Sequence, residues 1–164
     1  MRGWIGERGT VLLEFVLVGT TLMVLLLGGM EFGRALNVYI AFTNAAREGA
    51  RYGTLPGVLP YQAECWAVRS APGYASSNPD PCDDANGDGL ADTLGPQEGT
   101  KCILRVDDVI LTPGVTPQGD PMVTVQIIYA HGLFFVPVPG IAPGTDCLGR
   151  PSFTLQVSAS MRVE

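Results

Sequence analysis

The chain has 164 residues, 46% of them apolar and only 16% charged, with a net charge of −6. That length holds one modest domain plus an anchor and excludes two full domains. Residues 1–51 carry a charge balance of +1 and residues 52–164 one of −7. The acidic distal part excludes a nucleic-acid-binding surface, because neutralising phosphates takes Lys and Arg.

The first predicted element is a membrane-crossing helix. Residues 10–30 form a run of 21 residues with one charge, Glu14, long enough to cross about 30 Å of hydrocarbon at the helical rise. Arg2 and Arg8 precede it, so the positive-inside rule places the N-terminus in the cytoplasm and the rest outside the membrane. A cleaved secretory signal fits badly, since no A-x-A-like site follows the apolar run. The helical pattern continues in "MEFGRALNVYIAFTNAAREGARYG", where Phe32, Leu36, Tyr39, Ile40 and Phe42 recur at helical spacing. Gly53, followed by Pro56, supplies the stop. The predicted helix, Thr10–Tyr52, is about 65 Å long, so it overshoots the bilayer and reaches into an extracytoplasmic domain. Gly19, Gly28 and Gly29 suit close helix approach within a membrane, with Gly28–Gly29 a place for a bend. Glu31 and Arg34 are spaced to pair where the helix leaves the bilayer, as a solvated structural pair.

Glu14 stands at the mouth of the apolar run, in "ERGTVLLEF". A cut after Gly9 would make Thr10 the new N-terminus, Glu14 the fifth residue and Phe15 the sixth. This constellation resembles a class III prepilin processing site, and "EFGRALNVYIAFTNAAREGARYG" is similar to the TadE-like family. These are the minor pilins or pseudopilins of the tight-adherence (Flp, type IVc) pilus system. The resemblance covers residues 8–53, and extends weakly to "FTLQVSASMRVE" at the C-terminal end. It implies a cytoplasmic leader, residues 1–9, removed by a prepilin peptidase. It also implies partners: other pilin subunits through the helix, and a pilus assembly platform. The new amino group of Thr10 would meet Glu14 of a neighbouring subunit. Such a pair in low dielectric adds little net stability but penalises wrong registers.

Residues 54–164 read as a loop-rich extracytoplasmic β domain. Within loop 83–98, Asp84, Asn86, Asp88, Leu90 and Asp92 occupy the ligand positions of a calcium loop, with Gly89 allowing the sharp turn. Position twelve is Gly95, so Glu98 or Asp83 would have to stand in for the usual bidentate Glu. This predicts weak calcium binding, on the order of 10⁻⁴–10⁻³ M. The four cysteines, Cys65, Cys82, Cys102 and Cys147, all follow the apolar run and read as two disulfides in an oxidising compartment. Four cysteines allow three pairings; the reading leans to Cys82–Cys102, stapling the loop, and hence Cys65–Cys147.

Strands are predicted at 102–112, 122–130, 132–138 and 153–163 from β-branched and aromatic runs between Gly/Pro turns. In the last, Phe153, Leu155, Val157, Ala159, Met161 and Val163 alternate with polar residues, as in a sheet with one covered face. The fold class is therefore α+β: a pilin-like lollipop whose long N-terminal transmembrane helix packs on a small antiparallel sheet.

His131, the single histidine, has no nucleophile context or orienting partner, and reads as a surface or satisfied turn residue. Trp4 suits a membrane interface, and Trp66 carries no cofactor signal. With no catalytic constellation visible, the chain reads as a non-enzymatic, single-pass membrane protein that takes part in building a pilus used in adhesion or secretion. The alternative is an unprocessed single-pass protein whose calcium-stabilised head binds a ligand.

Overall fold

The computed structural model describes residues 4–71, 73, 102, 104–133 and 144–163. Helix α1 runs Trp4–Gly53, helix α2 runs Pro60–Arg69, and a 3-10 turn spans Val106–Asp108. Four strands follow: β1 Val109–Val115, β2 Pro121–Gly132, β3 Gly144–Thr145 and β4 Pro151–Arg162. They form one antiparallel sheet in the order β1-β2-β4-β3. The α+β architecture of a long apolar helix on a small antiparallel sheet is thus present.

Helix α1 begins before Thr10, continues through Gly28–Gly29 and stops at Gly53. Its outer half buries one seam: Glu31, Ala35, Val38, Phe42, Ala45, Ala46, Gly49 and Ala50. These steps of three and four residues put them on one face. The five large residues that the periodicity grouped together separate in space. Phe42 enters the core, where its ring meets Tyr129 edge-on at 4.8 Å, while Phe32, Leu36, Tyr39 and Ile40 stay 44–66% exposed on another side of the helix.

The small residues of "NAAREGARYG" serve a helix that the sequence reading missed. Helix α2 presents Ala63, Ala67 and Val68, all buried, to the Ala45–Ala50 stretch of α1. Gly49 makes the closest approach, since a Cβ there would stand 2.6 Å from that of Ala67. Pro60 starts α2, and the Leu59 N–H donates to the Gln62 side chain at 3.1 Å, one half of a capping box. Alanine supplies helix propensity but little hydrophobic periodicity, which hides a ten-residue helix from pattern reading. Glu64 of α2 accepts from the Leu111 N–H of β1 at 3.0 Å, which ties the helix to the edge strand.

The sheet core is Leu104, Val109, Val123, Val125, Ile127, Tyr129 and Val157, under Val38 and Phe42 of α1. On β4 the predicted alternation holds: the even-numbered residues Thr154–Arg162 are exposed, while Phe153–Val163 on the odd face are buried or half-buried. On the open face Thr124 and Ser160 pair their hydroxyls at 2.9 Å. Both tight hairpin turns place glycine at positive φ, Gly119 in "TPQGD" and Gly149 in "DCLGR". In each, the backbone closes a pair of hydrogen bonds around the turn, the geometry of a type I turn with a glycine bulge.

The first strand and the disulfide differ from expectation. The strand foreseen at 102–112 starts only at Val109, because the Asp108 carboxylate accepts the Arg105 N–H at 3.0 Å and curls residues 106–108, a local bond that competes with the ladder. The strand foreseen at 132–138 shares only Gly132 with β2; residues 134–138 lie outside the described residues. The disulfide joins Cys102 to Cys147, so neither Cys82–Cys102 nor Cys65–Cys147 forms. The sheet dictates this pairing: the Tyr129 hydroxyl holds the Cys102 carbonyl at 2.9 Å beside β2, and the β3–β4 turn brings Cys147 to the same end, with a Cα–Cα distance of 5.8 Å. Cys65 is buried in α2.

Candidate assembly interface

Gly9, Thr10, Glu14 and Phe15 all lie on α1, and all four are exposed. The helix runs unbroken across the Gly9–Thr10 bond, and a Cβ on Gly9 would meet nothing within 4 Å. Thr10 and Glu14 are four residues apart, which puts them on one helix face about 6 Å apart along the axis. Beyond them every large apolar side chain from Val11 to Leu26 is 57–75% exposed. Among the described residues the head covers none of this surface, which is long and apolar enough to cross a membrane. An apolar surface of this size marks a contact with lipid or with other protein.

Where the uncharged run ends, a polar cluster joins α1 to the sheet. Glu31 accepts from Arg34 Nη1 through both carboxylate oxygens at 3.0 Å. The pair forms as foreseen but is not solvated, since Glu31 is only 5% exposed. Facing it are His131 at the end of β2 and the β3–β4 turn. There the buried Asp146 carboxylate accepts from the backbone N–H groups of Leu148 and Arg150 at 2.9 and 2.8 Å. It also accepts from Arg150 Nε at 2.7 Å. Burial alone would raise the Asp146 carboxyl, but the hydrogen bonds from Arg150 and Leu148 outweigh it and hold it below the usual range. Gly132 is required beside it, because a Cβ there would collide with that carboxylate.

His131 is neither the surface residue nor the satisfied turn residue foreseen, since it lies in β2. It is 4% exposed, its ring meets Phe153 at 5.3 Å, and among the described residues its Nε2 has no hydrogen-bond partner. Burial pushes its basicity down, helped by Arg34 and Arg150 and opposed by Glu31 and Asp146. Sequence reasoning missed this cluster because its members lie on three elements. The one available signal was "DCLGR", an acid and a base bracketing a glycine turn.

At the other end of the head, Tyr52 and Trp66 stack at 4.9 Å. Shallow grooves of about 290 and 220 Å³ flank the stack, between Arg51 and Leu55 on one side and Tyr61 and Arg69 on the other. The calcium positions Asp84, Asn86, Asp88, Leu90, Asp92 and Glu98 lie outside the described residues. Among the described residues no group of three or more His, Cys, Asp or Glu is placed to hold a metal.

In comparisons with curated proteins and with solved structures, none matches this chain. The match that exists stops with the helix and leaves the sheet out. Residues 9–51, from the Gly9 motif through the small-residue seam, are similar to the family model described as TadE-like protein.

Proposed function

We propose that this TadE-like, pilus-associated membrane protein is a minor pilin or pseudopilin. On this reading a prepilin peptidase processes it after Gly9, and its helix assembles with other pilin subunits and the assembly platform of an adhesive or secretion-linked pilus. One observation carries the reading: Gly9, Thr10, Glu14 and Phe15 lie in order on a helix whose apolar surface is left bare by its own head. Glycine, with no side chain and poor helix propensity, is the residue at which the first turns of α1 open most easily to a protease. Once cut, the Thr10 ammonium of one subunit and Glu14 of its neighbour neutralise each other at one axial offset only. N-terminal sequencing of the native protein tests this. Thr-Val-Leu-Leu is the expected start; an intact Met1 would point to the unprocessed ligand-binding alternative.

Calcium binding by loop 83–98 is proposed on its sequence pattern. Calcium should raise the melting temperature of the full chain, and Asp88→Ala should abolish the rise.

A further inference from the structure

The two long edges of the sheet differ in what they leave unpaired. Antiparallel pairing alternates along a strand, and two bonds set its phase between β2 and β4: Val163 N–H donates to the Pro121 carbonyl, and Leu133 N–H to the Pro151 carbonyl. The odd-numbered residues of β4 therefore bond to β2, and the even-numbered ones turn their N–H and C=O groups to the outer edge. On β1 it is the odd-numbered residues that face outward, since Thr116 N–H bonds to the Asp120 carbonyl within the β1–β2 register.

The β1 edge is closed. Val109 N–H donates to the Val106 carbonyl, Leu111 N–H donates to Glu64 at 3.0 Å, and Pro113 has no N–H to give. Such devices keep an edge from pairing with another chain. The β4 edge has none of them. Strand β3 covers it only at Pro151 and Ser152. Beyond these, Thr154, Gln156, Ser158, Ser160 and Arg162 are all exposed, and among the described residues no backbone group bonds to this edge. No proline and no charge interrupts residues 152–161. The apolar layer under the sheet is unfinished at the same place. On β2, Val123, Val125, Ile127 and Tyr129 are at most 7% exposed, whereas Phe153, Leu155, Ala159 and Met161 of β4 are only half-buried.

We propose that the outer edge of β4, from Thr154 to Arg162, takes up an extended segment of another protein as an added strand in line with β3. Its backbone meets the open row of N–H and C=O groups, and apolar residues at its alternate positions continue the layer of Leu155, Ala159 and Met161. A second copy of this chain does not fit. Its β1 edge is closed. Antiparallel pairing of two β4 edges needs a twofold axis normal to the sheet, which reverses α1 and is excluded wherever both copies cross one membrane, as the proposed function requires. Parallel pairing turns the copy's odd-numbered residues to the opposite face and leaves the apolar layer unfinished.

Amide hydrogen exchange of the full-length protein in micelles, resolved by residue, tests this with a short lysine-flanked peptide of alternating valine and threonine as the probe. In the free protein the even-numbered amides from 154 to 162 should exchange about tenfold or more faster than their odd-numbered neighbours. The peptide should slow the even-numbered amides by about tenfold or more, and the same peptide N-methylated at alternate residues should not. Ser158→Pro removes an outward N–H and spares the β2 ladder, so it should abolish the peptide's effect and keep the melting temperature; Ser158→Ala should keep both. Even-numbered amides already protected at every protein concentration would give the edge to the chain itself, and protection that grows with concentration would give it to a second copy; either overturns the proposal. A free edge that the peptide leaves unprotected overturns it as well. An uncut Gly9 would defeat the pilin reading and leave every one of these outcomes as it stands.

Discussion

Gly49 of α1 and Ala67 of α2 touch so closely that any side chain on Gly49 must displace one of the two helices. Gly49→Ala should therefore destabilise the head by about 1–3 kcal/mol through overpacking, although alanine is the better helix former. Gly33→Ala is the control. Gly33 is exposed on the same helix with nothing within 4 Å of a new Cβ, so its variant should be neutral or stabilised by up to about 1 kcal/mol. Thermal melts of the two proteins should move in different directions.

The Cys102–Cys147 bridge closes 45 residues of chain. In the chain-entropy view a loop of that size stabilises by about 4 kcal/mol, with measured bridges commonly giving about 2–4. A Cys102→Ser/Cys147→Ser double variant should lose a stability in that range, read from denaturant midpoints. Unreduced peptide mapping should recover the 102–147 cross-link. A 82–102 cross-link would contradict the sheet geometry.

His131 makes the head acid-sensitive. Its folded-state basicity is lowered, so between the ordinary value near 6.5 and the depressed one the unfolded chain binds more protons. Stability from this site is then full above about pH 6.5 and falls as the pH drops. Glu64 and Asp108, raised mainly by burial, act with the opposite sign in the carboxylate range. His131→Phe removes the titration and the unpaired Nε2 together, and should flatten the melting temperature between about pH 5 and 7. An unchanged slope would place the acid sensitivity elsewhere.

The two glutamates of α1 should behave in opposite ways. Glu31 is buried against Arg34, whose own side chain is 35% exposed, so Glu31→Ala removes a charge-assisted hydrogen bond at the edge of the head and should cost about 1.5–3 kcal/mol. Glu14 is exposed on the isolated chain, so Glu14→Ala should leave the melting curve alone and, on the proposed role, reduce incorporation into the pilus. Normal assembly with Glu14→Ala would reduce that residue to a boundary marker.

Where physics is local, the sequence was legible. The apolar run, the stop at Gly53 and the strict alternation of β4 follow from periods that a single element displays. The Glu31–Arg34 spacing predicted the pair but not its burial, because burial depends on what β2 and the β3–β4 turn bring to it. Helix α2 escaped because alanine packs by being small, and smallness leaves no hydrophobic signature. The disulfide escaped for a related reason: Cys102 and Cys147 meet only through the sheet order, which places β3 beyond β4. The motif "NAAREGARYG" was recognisable as a pattern before its cause was visible, and the cause is the Gly49–Ala67 contact.

An unbroken α1 also fixes azimuth. The seam that holds the head and the face that carries Thr10 and Glu14 belong to one rigid rod, so the side of the membrane segment that meets a neighbour determines which way the head points. Each residue of twist along that rod turns the head by about 100°. Inserting or deleting a single residue between Glu14 and Glu31 would therefore leave both ends intact and present the head's wrong side to whatever it meets.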